Sequence, residues 1–302
     1  GVGKTSVGVE LAGRLRARVI SCDSMQLYRG FPILTNQPTP EERAAVTHEL
    51  VGIVEPGGCF SAAQYAAVAR PLIDEDLARW GWALVVGGTG LYFRAAVAPL
   101  DMAPAVDPEV RRRLEQRAVQ QGAAALYAEL SRLDPEAAAA IGPHNTRRLV
   151  RALEVVVSGG TAWSGRGDLW EPAYRHPTLT VGLTLEREEL YRRIDARTPG
   201  IIVGGAEEVR RHLEGLTSEE SAEEREAPRA GIESAIGYRE IRRYVDGRQG
   251  FDETVTQVAA ATRRYARRQL TWLRKLGDAV IIDVHDRAPG EVADQILALA
   301  LS

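Results

Sequence analysis

Cysteine is nearly absent, with Cys22 and Cys59 the two thiols in 302 residues. That excludes a disulfide framework and a zinc site built from four thiolates, and leaves two small residues suited to a reducing compartment. No run approaches the ~18 uninterrupted apolar residues of a membrane span. No basic and then apolar leader opens the sequence, so a cytoplasmic protein without membrane contact is expected. Also missing is the positive balance common in nucleic-acid-binding domains, since the net charge is −3. The charge is unevenly spread. Acid gathers in Glu219, Glu220, Glu223, Glu224 and Glu226, and base gathers at 111–113, 147–151 and 263–275. Each basic cluster can be a solvated helix face or a surface for phosphates. With 45% hydrophobic and 26% charged residues, there is material for one substantial core and an inserted subdomain.

Strand and helix patterns alternate at the start. Gly3-Lys4-Thr5 runs into the amphipathic spacing Val7, Leu11, Leu15, and a strand over 18–21 then ends at Cys22-Asp23-Ser24. A helix over 62–79 precedes a second apolar run over 82–86, which stops at Gly87-Gly88-Thr89-Gly90. Such alternation predicts an α/β fold with a parallel, doubly wound sheet and ligands at the carboxyl ends of its strands. Over about 104–161 the pattern changes to helices, among them 108–121 and 123–133, which reads as a helical insertion. Strand signals return at 179–184 and 279–283 and should complete the sheet. The expected division is a first core segment over 1–103, the insertion over 104–165 and a completing core segment over 166–302. A charged, apolar-poor stretch over 215–228 reads as a connector.

Gly1-Val2-Gly3-Lys4-Thr5, opening a helix, is the end of a phosphate-binding loop. Backbone N–H groups would hold phosphate oxygens, Lys4 would neutralise them and Thr5 would hold Mg²⁺. The loop's first glycine and the strand that delivers it would lie upstream of Gly1. A chain starting at Gly1 is therefore expected to be poorly active, and upstream residues are expected to raise its melting temperature and diphosphate affinity. A P-loop kinase would hold its metal through an acid ending the neighbouring strand. Here that strand ends in Gly-Gly-Thr, and the acid, Asp23, stands on the other strand. A lone Asp in such a place is often a turn or helix cap. Grouped with Ser24, Gln26 and Tyr28 at the mouth of one sheet, it becomes a candidate general base.

Gly-Lys-Thr, then Asp23-Ser24-Met25-Gln26-Leu27-Tyr28, then Gly87-Gly88-Thr89-Gly90-Leu91-Tyr92, in this order and spacing, resemble the tRNA dimethylallyltransferase family. Further matches are the segments at 107–111, 147–154, 193–197, 236–238 and 262–272, so the resemblance spans nearly the whole chain. It implies a P-loop NTPase-like parallel sheet flanked by helices, with the insertion binding the tRNA anticodon stem-loop. It implies attack of N6 of the adenine 3′ of the anticodon, position 37 in tRNAs reading codons that start with U, on dimethylallyl diphosphate. Asp23 is matched to the general base. Lys4, Thr5 with Mg²⁺, the N–H groups of Gly1, Val2 and Gly3, and Arg197 would hold the diphosphate, and Thr89 would bond the reacting amine or a phosphate. Ser24, Met25 and Gln26 would read the base. Arg111, Arg147, Arg148, Leu149, Val150 and Arg151 would contact the RNA, and a monomer is expected.

Three departures from the family pattern stand out. Leu34-Thr35-Asn36-Gln37 replaces a usual Gly-Thr-Ala-Lys, which removes a positive charge and implies weaker RNA binding. Thr198-Pro199-Gly200 and Gly204-Gly205 are expected to interrupt the helix that carries Arg197. No zinc-finger motif of the eukaryotic relatives is present, so a bacterial type is expected. The rival readings are a P-loop kinase for a small molecule or nucleotide and a non-catalytic RNA-binding relative. A prenyltransferase of the aspartate-rich type is disfavoured, because Asp74-Glu75-Asp76 lacks the two spaced aspartate clusters it needs.

Overall fold

The computed structural model describes residues 1–100, 107–159, 171–215 and 231–301. Glu219 to Glu226 and most of the connector read over 215–228 lie outside them. The chain divides into two units, Gly1–Ala98 with Pro172–Ser302, and Pro99–Glu171.

In the first unit, helix α1 (Lys4–Leu15) buries Val7, Leu11 and Ala12 on one face, as their 3-4 spacing requires. Parallel strands β1 (Val19–Ser21), β2 (His48–Glu49) and β3 (Leu84–Val86) form a sheet in the order β2-β1-β3, with Ile20 opposite Val85. Helix α2 (Pro40–Ala45) lies between β1 and β2 in the chain. Helix α3 (Ala62–Trp80) leads into β3, its start closed by a capping box of Ser61 and Gln64. Helix α4 (Gly90–Val97) leaves β3 directly. The alternation thus yields the parallel α/β sheet flanked by helices that the sequence implied, with the ends of β1 and β3 side by side.

The completing strands are present but do not extend that sheet. β4 (Val181–Thr184) and β5 (Val280–Asp283) pair in parallel as a second ladder. Among the described residues no strand joins β3 to β4. Leu84, Val86, Leu179 and Val181, with Val7 and Leu11 of α1, help line a mainly apolar cavity of about 170 Å³.

Among the described residues this unit also has the α-helices α8 (Arg187–Glu214), α9 (Tyr238–Val245), α10 (Phe251–Leu273) and α11 (Pro289–Leu301). The expected interruption at Thr198-Pro199 does not occur, because α8 runs unbroken for 28 residues with Pro199 inside it. An interior proline costs about 3 kcal/mol. Against that, Ile194, Ile202, Ala206 and Val209 are buried along the same helix, and each large apolar side chain contributes about 1.5–3 kcal/mol. Packing therefore outweighs the local penalty. Thr198 adds a bond from its hydroxyl to the Ile194 carbonyl, 2.7 Å, in the turn where the ladder loses its donor.

The second unit is helical: α5 (Pro108–Leu133), α6 (Pro135–Ile141) and α7 (Thr146–Val157). Gly122 breaks α5 with φ 78 and ψ 169, between the two helical segments read from the sequence. Asp107, Asp134 and Asn145 cap the three N-termini with side-chain oxygens. Leu126, Leu130, Leu149, Ala152 and Leu153 close the unit's own core.

Candidate active site

The phosphate loop ends where Gly3 adopts φ 87, the left-handed conformation open to glycine, and caps α1 without a side-chain bond. The N–H groups opening α1 have no acceptor inside the helix and point at whatever lies before it, with the positive end of the helix dipole behind them. Lys4 and Thr5 are half-buried in this first turn, and Val2 packs toward the cluster of Val7, Leu190 and Ile194. Burial pushes the Lys4 ammonium below its ordinary range, and the Asp23 charge pulls it back up.

Asp23 follows the end of β1. One carboxylate oxygen accepts from the Met25 N–H at 2.9 Å. Burial pushes its carboxyl above the usual range, opposed by N–H groups of Met25 and Gln26 and by Lys4. The adjoining Cys22 thiol is pushed up to about 12 by burial and then by Asp23, so it stays neutral. The ends of β1 and β3 are laced together. The Thr89 hydroxyl oxygen accepts from the Ser24 N–H at 3.0 Å and lies 3.2 Å from the Ser24 hydroxyl. The Thr89 N–H donates to the Cys22 carbonyl, 3.3 Å. Only glycine allows this closeness, since a Cβ on Gly87 would meet the Cys22 backbone at 2.5 Å.

Helix α10 closes the loop from the other side. The Gln269 amide donates to the Gly88 carbonyl at 2.9 Å, and the Tyr265 hydroxyl reaches the same oxygen at 3.4 Å. The indole of Trp272 occupies the space a Cβ on Gly90 would need. Burial, and then the Asp23 charge, push the Tyr265 phenol up. No local motif marks Gln269 or Tyr265 for this role. Two polar residues four apart on one helix, with glycines elsewhere signalling close approach, were the available hint.

A third group comes from the loop after β1. Gln26 accepts from the Ser21 hydroxyl at 2.9 Å and donates to the Asn36 carbonyl at 2.7 Å. Arg197, from α8, donates to the Asn36 side-chain oxygen at 2.9 Å, and burial lowers its pKa from the ordinary value. Arg197 also acts on the Lys4 charge, so the two cations share one field. Gln37 is buried. Its amide donates to the carbonyls of Gln26 and Tyr28 and its oxygen accepts from Arg43, so this departure forms part of the loop's framework. Met25 packs against the apolar cluster of Tyr28 and Phe31.

The residues expected to contact RNA divide. On α7, Arg147 and Arg148 are exposed, and among the described residues neither takes a carboxylate partner. Arg151 donates to Glu154 at 2.9 Å, and Arg111 to Glu115 at 2.9 Å. Leu149 and Val150 correct the expectation. They are 0% and 3% exposed in the core of the helical unit, because residues 147, 148 and 151 occupy the outward phase of the turn and 149 and 150 the inward one. Their side chains hold the helix rather than offer a surface. In the cluster at 263–275, Arg263 pairs with Asp195 and Arg267 donates to Tyr191, so both serve the fold.

No cluster of three or more His, Cys, Asp or Glu that could hold a metal occurs among the described residues. The Thr5 hydroxyl, in the first turn of α1, is an oxygen that could hold a divalent cation together with oxygens of a bound ligand.

A parallel α/β sheet with a phosphate loop and a polar cluster at its strand ends defines a P-loop-like protein. The sequence matches the IPP transferase family over residues 26–276. It is 41% identical over 280 residues to a tRNA dimethylallyltransferase of Bifidobacterium adolescentis, covering 89% of this chain and 78% of that one. It is 43% identical over 277 residues to one of Geobacillus thermodenitrificans, covering 90% and 84%. The fold matches the crystal structure of a full-length tRNA isopentenylpyrophosphate transferase of Bacillus halodurans with a TM-score of 0.69 and 35% identity, over 100% of this chain and 92% of that one. The chain belongs to the IPP transferase family, and it is an enzyme of the transferase class.

Proposed function

We propose that this enzyme transfers the dimethylallyl group of dimethylallyl diphosphate to N6 of the adenine 3′ of the anticodon, position 37, in tRNAs reading codons that start with U. The observation that carries this reading is the half-buried Asp23 carboxylate held beside Lys4 and the Ser24–Thr89 pair, at the mouth of the phosphate loop.

In the reaction the N6–C1 bond forms as the C1–O bond to diphosphate breaks. An exocyclic amine is a weak nucleophile, and a carboxylate with a raised pKa takes its proton more readily as the bond forms. Asp23 fills that role, with Thr89 orienting the amine or a phosphate. Negative charge gathers on the departing diphosphate. The N–H groups of Gly1, Val2 and Gly3, the Lys4 ammonium and the Arg197 guanidinium would meet it there. Mg²⁺ bound to the diphosphate and the Thr5 hydroxyl would supply further charge neutralisation. The adenine must leave its stack to reach Asp23, at a cost of a few kcal/mol. Ser24, Met25 and Gln26 would read its edge. Arg111, Arg147, Arg148 and Arg151 would hold the phosphates of the anticodon stem-loop, which locates the RNA without reading it. On this reading the enzyme works as a monomer in the cytoplasm. Among the described residues no helix is long and apolar enough to cross a membrane.

The test is incubation with unmodified tRNA and dimethylallyl diphosphate labelled in its prenyl group. Label is expected in RNA at the single adenine, with one pyrophosphate released per group transferred. Phosphate released from ATP without RNA, and no label in RNA, would restore the kinase reading.

A further inference from the structure

Asn36 bonds to both Arg197 and Gln26. Its side-chain oxygen accepts from the Arg197 guanidinium at 2.9 Å, and its carbonyl accepts from the Gln26 amide at 2.7 Å. It does so from the left-handed conformation, φ 53, which asparagine tolerates better than most residues. The loop around it is fixed. Buried Glu208 on α8 accepts from the N–H groups of Ile33 and Leu34 at 2.7 and 2.9 Å, the Thr35 hydroxyl donates to the Phe31 carbonyl at 2.7 Å, and Gln37 ties the loop to Gln26 and Tyr28. The same helix therefore grips the loop at Glu208 and presents Arg197 to it. Gln26 is anchored at its far end by Ser21, at the end of β1.

We propose that Asn36 is a positioning residue that sets Arg197 toward the diphosphate and Gln26 toward the base in one frame. This rests on the reading of Arg197 as a diphosphate ligand and Gln26 as a base reader. A guanidinium carries five N–H donors, and the bond to Asn36 uses one of its terminal nitrogens, leaving the remaining donors for phosphate oxygens. Holding the side chain before the ligand arrives removes part of the rotamer entropy otherwise lost on binding. That effect is worth about 3- to 10-fold in affinity for one long side chain.

The test is a double-mutant cycle read by pyrophosphate binding in the presence of Mg²⁺, together with steady-state kinetics. Asn36→Gly removes the carboxamide and keeps a residue at ease with positive φ, so the fold and the carbonyl bond to Gln26 stay. Pyrophosphate affinity is expected to fall about 3- to 10-fold and KM for dimethylallyl diphosphate to rise in step, with kcat changing less and the melting temperature holding. In an Arg197→Ala background the same change should cost nothing further, because its partner is gone. Equal losses in both backgrounds, or no loss in the otherwise unaltered enzyme, overturn the proposal. If Arg197→Ala itself leaves pyrophosphate affinity intact, the reading of Arg197 as a phosphate ligand fails and the proposal fails with it.

Discussion

The Asp23 carboxyl sits between a burial that disfavours its charge and two N–H groups and a lysine that favour it. The net direction is upward, and a base with a raised pKa is half-protonated at a higher pH than an ordinary aspartate, near 3.9. Since the reaction needs the carboxylate, the rate of the chemical step should fall as pH drops through this raised value. Replacement by Asn keeps the shape and removes the base. Single-turnover rates are expected to drop about 10²–10⁴-fold, and the acid limb of the pH profile should vanish with them. Binding of tRNA should change little, because the lost proton acceptor does not bind a phosphate. An acid limb that persists in Asp23→Asn would assign it to another group.

At the level of single elements, α8 and α7 carry opposite lessons about reading a sequence. Pro199 reads locally as a break, yet the helix continues because its buried face is worth more than one lost bond. Pro199→Ala restores a donor to the Asp195 carbonyl and removes the ring clash, offset by a looser unfolded chain. A gain of about 1–3 kcal/mol is expected, measured by denaturant unfolding, with pyrophosphate affinity unchanged because Arg197 already has its bond to Asn36. A loss of stability would mean that the proline's restriction of the unfolded chain outweighs the bond it removes from the helix. In α7 the segment 147–151 reads as one basic motif, although its period of 3.6 sends Leu149 and Val150 inward. Arg147→Ala and Arg148→Ala should each weaken tRNA binding and flatten the dependence of log affinity on log salt, by about 0.7–0.9 for each phosphate no longer neutralised. An unchanged slope would make them solvated surface. The strand-to-loop junctions at Asp23 and Thr89 were readable, since parallel strands bring their carboxyl ends together. The bond of Arg197 to Asn36 was not, because 161 residues separate the partners and no local pattern encodes their meeting.

Across the whole molecule, the groups proposed for the diphosphate and those proposed for the phosphates of the tRNA belong to units with separate cores. The first unit carries the clusters around Val7 and Leu190 and around Phe31 and Ile202, and the second closes on Leu126, Leu149 and Leu153. Leu153 is 0% exposed. Leu153→Ala should therefore cost the helical unit about 2–5 kcal/mol, the usual range for a truncated core leucine. The helix it loosens carries Arg147, Arg148 and Arg151, so tRNA affinity should fall, whereas Lys4, Asp23 and Arg197 keep their supports. Pyrophosphate with Mg²⁺ should bind the variant as before. At a hundred times its Kd it should protect α1 and the ends of β1 and β3 from hydrogen exchange by up to about 2.7 kcal/mol in both proteins. Faster exchange in the variant should be confined to α5, α6 and α7. If pyrophosphate affinity instead falls along with tRNA affinity, the two cores do not act separately, and the diphosphate site depends on the helical unit for its shape.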